Sequence, residues 1–139
     1  MKVVKFGGSS MADANQYRKV RDILLADPER RVVIVSDAGK RDSHDHKITD
    51  LLYLCYAHTQ YGVDCSNIFE MIRSRYLEIR DALGIQLDLE SDFAALKSGL
   101  DRKMVSQDEL ASRGEYFSAK LMAAYLGFAF VDAADWVFF

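Results

Sequence analysis

The sequence predicts an α/β fold: a mainly parallel sheet with helices on both of its faces. Three observations carry that prediction. Short β-branched runs alternate with stretches of helical period along the chain. RRVVIVS (30–36) is continuously apolar at its centre, as expected of a strand buried on both faces. Polar, glycine-containing stretches follow the strand-like runs, at the ends where such sheets collect functional groups.

Taken in order, Val3 and Val4 form the core of a first strand near 2–6, and KFGGSS closes it. From Ala12 the apolar period changes, with Tyr17, Val20 and Leu24 on one face, so a helix is expected near 12–26. Asp27-Pro28-Glu29 ends it with the only proline of the chain. The second strand, 30–36, leads into the polar loop DAGKRDSHDHK. ITDLLYLCYAHTQYG then reads as a helix stopped by Gly62. Another is expected over 64–83 with Ile68, Ile72, Leu77, Ile79 and Leu83 on its apolar side, and LESDFAALKSGLDRK supplies one more. Ser106 and Glu109 have the spacing of a capping box opening one long helix through Leu126. After Gly127, FAFVDA (128–133) reads as a third strand. No repeat or flexible linker interrupts this order, so residues 1–139 form one domain.

Composition narrows the function classes. Half of the 139 residues are hydrophobic and 28% are charged, which is globular composition. The formal charge of −3 leaves no basic excess to meet a nucleic acid backbone. No run approaches the roughly 18–20 apolar residues that cross a bilayer, and no targeting segment stands at the N-terminus, so no membrane and a cytoplasmic location are expected. Cys55 and Cys65 lie in apolar helical text and read as reduced thiols.

Three segments carry candidate chemistry. In KFGGSS, Gly7, Gly8 and Ser9 sit at a strand-to-helix junction that can aim backbone N–H groups at an anion, and Lys5 adds a positive charge. Read alone, the same residues also describe an ordinary glycine turn. In the second loop Ser36 ends a strand and Thr49 falls in the first turn of a helix, where hydroxyl and N–H groups can hold a carboxylate or merely cap. His44 and His46 flank Asp45, but two histidines without a third ligand do not define a metal site. In the third segment Gly114 costs its helix ~1 kcal/mol relative to alanine, so close packing or a ligand is expected beside it. Glu115 next to it is either an inward-facing acid or a surface glutamate.

The ordered set K-F-G-G-S-S (5–10), V-S-x-x-G-K (35–40), K-I-T-D-L-L (47–52) and D-E-L-x-S-x-G-E-x-x-S-A (108–119) resembles aspartate kinase, of the amino acid kinase superfamily, over essentially the whole chain. The resemblance implies transfer of the ATP γ-phosphate to the side-chain carboxylate of L-aspartate with Mg2+, within amino-acid biosynthesis on the route to lysine. It implies a catalytic, phosphate-contacting Lys5, a phosphate loop at Gly7, Gly8 and Ser9, and substrate contacts from Ser36, Thr49 and Glu115. It implies an amino acid kinase-like fold incomplete at its C-terminal side, because the family continues into a nucleotide-binding part and regulatory domains absent from these 139 residues. The apolar run 136–139 is accordingly expected to be a fragment's end or to be held against something, with the missing kinase half or a second copy as partner. The chain alone is then expected to be inactive.

Asp37 departs from the family's pattern, where S-A-P-G-K is common; it is expected to repel phosphate, to help hold magnesium or to point outward. Two other classes stay open: another kinase of the superfamily, and a non-catalytic module that binds an amino acid or oligomerises.

Overall fold

The computed structural model describes residues 1–136; the apolar end expected at 136–139 lies, beyond Trp136, outside the described residues. Among the described residues two strands form: β1 (Lys2–Phe6) and β2 (Arg30–Val35), joined through α1 (Ala14–Leu25). They pair in parallel, Lys5 opposite Ile34 and Phe6 opposite Val35, and the Ser36 N–H extends the ladder to the Phe6 carbonyl at 3.1 Å. The α/β class is therefore the observed one. Because the strands are parallel, the chain leaves both at the same edge, and the first two loops meet there.

Five more helices follow: α2 (Ile48–Gln60), α3 (Ser66–Ala82), α4 (Glu90–Asp101), α5 (Gln107–Ala111) and α6 (Arg113–Leu126). Phe6 and Val35 point into a core with Tyr17 and Val20 of α1, Leu52 of α2, Tyr76 of α3, Phe93 of α4 and Phe117 of α6. Phe93 and Phe117 stack with ring centroids 4.0 Å apart, which fixes α4 against α6.

Four local readings change. The fully buried face of α3 runs through Phe69, Ile72, Arg75, Tyr76 and Ile79, and the expected Ile68, Leu77 and Leu83 pack half-buried against the same core at its flank. The long helix opened by Ser106 breaks at Ser112, whose hydroxyl donates to the Glu109 carbonyl at 2.6 Å. A serine that bonds back to the preceding turn competes with helix continuation. FAFVDA is not a strand: α6 ends at Gly127 in the left-handed region (φ 74°), and 128–132 run without ladder bonds beside β2. Finally, β2 is covered on one face only, with Val32 39% and Ile34 50% exposed on the other beside Val3 at 61%.

Candidate functional site

The site is built where the two post-strand loops touch. The Gly39 N–H donates to the Gly8 carbonyl at 2.9 Å. A β-carbon on Gly39 would lie 2.7 Å from the Gly8 carbonyl carbon, so the two backbones meet where only glycine fits. Gly7 and Gly8 do not feed α1 directly. They enter a 3-10 turn, Gly8–Met11, and Asp13 then caps α1 by accepting from the Gln16 N–H at 3.0 Å. A carboxylate thus already stands at the N-terminus of α1, so anion contacts fall to the glycine turn and not to that helix.

Arg75 and Tyr76, neighbours on α3, hold this junction from below. The Arg75 guanidinium is buried and donates to the carbonyls of Ala12 (2.9 Å), Gly39 (2.8 Å) and His46 (2.9 Å). Asp45 lies 3.7 Å from it and also pairs with Arg41 at 2.7 Å. The hydrogen bond from Arg41 holds the Asp45 carboxyl well below the usual carboxylate range. Asp45 is thereby committed to two arginines, while His44 and His46 are exposed. The Tyr76 hydroxyl accepts from the Ala38 N–H at 3.2 Å and donates to the Gly114 carbonyl at 2.9 Å, joining the second loop to α6. Neither residue was singled out from sequence, because an arginine in helical text reads as solvated and a tyrosine as core.

Gly8, Ser9, Ser36 and Thr49 line one cavity of about 550 Å³ together with Asp37, Gly39, Lys40, Lys47 and Asp50. Lys40 and Lys47 are additions to the expected set; both stand inside the motifs V-S-x-x-G-K and K-I-T-D-L-L. Thr49 is the second residue of α2, as expected, yet its hydroxyl donates to Asp37 and does not cap the helix. The Ser36 hydroxyl donates to the other Asp37 oxygen at 3.3 Å. Glu115 lines the adjoining cavity of about 530 Å³, with Val33, Val35, Arg113, Tyr116 and Asp132. Its side chain is exposed at the rim, but surrounding packing and then the nearby Asp37 carboxylate raise its pKa, while Lys5 acts to lower it. Lys5 is exposed on β1 and Gly7 at the strand end. The structure therefore brings Gly8, Ser9, Ser36 and Thr49 into one cavity and sets Glu115 beside it, with Asp37 between the two groups.

At the end of a parallel strand pair this cavity sets two glycine-bearing loops, two lysines and adjacent hydroxyls, which can donate to a phosphate or a small carboxylate, against two acids, Asp37 and Asp50. Residues 1–136 match the amino acid kinase family, and the chain belongs to that family. Among its relatives are aspartokinases. It is 37% identical to aspartokinase 3 of Bacillus subtilis over 139 residues, covering 96% of this chain and 30% of that protein. The aspartate kinase of Clostridium acetobutylicum superposes with a TM-score of 0.90 at 45% identity, over 95% of this chain and 30% of the other. Aspartokinase III of E. coli, solved with lysine and aspartate, gives 0.71 at 26% identity over 90% of this chain and 28% of its own. The chain thus spans about three tenths of the length of these relatives.

Proposed function

We propose that this chain carries the phosphate-loop and substrate side of an aspartate kinase, an enzyme that transfers the ATP γ-phosphate to the side-chain carboxylate of L-aspartate. The observation that carries the reading is the meeting of the Gly7–Ser9 turn with the Ser36–Thr49 loop at one cavity edge, Gly39 N to Gly8 O at 2.9 Å. The aspartokinase relatives support the choice of substrate.

In this reading a carboxylate oxygen of aspartate attacks the γ-phosphorus in line. The bond to the bridging oxygen of ADP breaks, and an acyl phosphate forms. Lys5, Gly7, Gly8 and Ser9 hold the transferring phosphate and offset charge on its equatorial oxygens, Lys5 being the catalytic cation. Ser36 and Thr49 receive a substrate carboxylate, and Glu115 receives the ammonium group. Magnesium, when bound, neutralises phosphate charge. Among the described residues no three His, Cys, Asp or Glu side chains gather as metal ligands.

The test is calorimetric titration of the chain with L-aspartate and, separately, with Mg-ATP. The expected result is an aspartate heat that Glu115→Ala abolishes, with Mg-ATP weak. No heat from a folded sample, persisting when the cavity's Asp37 is replaced by alanine, would falsify the reading. A second reading, self-association without turnover, is favoured by the exposed Val3, Val32 and Ile34 on the uncovered sheet face. The two titrations together with light scattering separate them, since the second reading on its own requires a mass above that of the single chain and no heat with L-aspartate.

A further inference from the structure

Ser36, Thr49 and Glu115 share one neighbour, and it is an acid. Thr49 Oγ1 donates to Oδ2 of Asp37, and Ser36 Oγ donates to Oδ1 at 3.3 Å. Gly114 leaves room for this side chain: a β-carbon at 114 would lie 2.6 Å from the Asp37 β-carbon and 3.4 Å from Oδ2. Three elements, the end of β2, the first turn of α2 and the start of α6, are thus fitted around a single half-buried carboxylate.

A hydroxyl has one proton to donate. Once Ser36 and Thr49 have given theirs to Asp37, each offers an arriving carboxylate only lone pairs, and the Asp37 charge adds direct repulsion. We propose that Asp37 is the residue that sets the affinity of the substrate side for an acidic amino acid, its carboxylate standing in for the ligand carboxylate at the Ser36 and Thr49 hydroxyls. A substrate dicarboxylate must displace Asp37 before it can use those donors. This rests on the aspartate-kinase reading above and deepens it, because it names the residue that sets how tightly an acidic amino acid is held. The effect of Asp37 on Glu115 agrees with the same placement.

The experiment is calorimetric titration of the chain and three variants, Asp37→Ala, Asp37→Asn and Asp37→Ala with Thr49→Ala, with L-aspartate, each first shown to melt cooperatively. Asp37→Ala is expected to bind L-aspartate roughly tenfold tighter than the parent, which corresponds to about 1.4 kcal/mol. Asp37→Asn keeps an acceptor for Thr49 but loses the charge, and is expected to gain less. The double variant is expected to lose the gain, since the freed hydroxyl is gone. Equal or weaker binding by Asp37→Ala, with a parent that does bind, overturns the role of Asp37 and leaves the aspartate reading standing. Folded parent and variants that all give no heat with L-aspartate overturn both.

Discussion

Gly114 and Asp37 are packed so closely that a β-carbon on the glycine would sit 2.6 Å from that of the aspartate, with Ile48 Cγ2 at 3.2 Å on the other side. This contact accounts for a glycine near the start of α6. Gly114→Ala gains helix propensity of ~1 kcal/mol but overpacks at a typical cost of ~1–3 kcal/mol. A net loss of up to about 2 kcal/mol is expected in urea unfolding, partly restored by Asp37→Gly in the same chain. A raised urea midpoint for Gly114→Ala would show that the contact is not close.

The Gly8–Gly39 junction gives a sharper expectation. The atoms that a β-carbon at 39 would meet are backbone, the Gly8 carbonyl carbon at 2.7 Å and oxygen at 2.8 Å, and cannot rotate away. Gly39→Ala should therefore separate the two loops, at a cost of ~2 kcal/mol or more. Amide exchange at position 39, whose N–H is the donor across the junction in the parent, should quicken in the variant. Unchanged protection of that amide would refute the expectation.

Arg75 tests the bracing of both loops. Arg75→Met keeps the aliphatic stem and leaves the Ala12, Gly39 and His46 carbonyls without this donor, with Asp45 deprived of one partner. A loss of about 3–5 kcal/mol is expected. Arg75→Lys should recover part of it, since an ammonium cannot reach three carbonyls in a planar fork. Chemical denaturation of the two variants side by side measures this.

Asp45 sets an acid-side expectation. Its folded pKa is depressed by Arg41, so its contribution to stability is complete above the unfolded value of about 4 and is lost as pH falls through the folded value. Thermal melts from pH 7 downwards should show the parent losing stability below about pH 4 more steeply than Asp45→Asn. The variant should also be the less stable of the two at pH 7. Parallel curves would remove Asp45 from the acid response.

How far the sequence speaks depends on how local the cause is. The two strands and the parallel crossover were legible because β-branched runs and a 3.6 period are local signals. So was the Ser106 cap, where the Glu109 N–H donates to the serine hydroxyl at 3.1 Å. The break at Ser112 was not, since the apolar period runs on through it. FAFVDA has strand composition but forms no ladder bonds, and composition does not supply a partner. The loops expected at the strand ends do meet, as parallel pairing requires, but the residues that brace them come from α3, far away in sequence. The tight seat around Asp37 was likewise hidden, because Ser36, Thr49 and Gly114 come together only in the folded chain.

Arg75 and Tyr76 are consecutive, and between them they reach Ala12, Gly39, His46, Ala38 and Gly114. The glycine turn, the second loop and the start of α6 are therefore hung from one peg. Three segments far apart in sequence share two adjacent residues as their common support, and a substitution at either one is felt at more than one wall of the cavity.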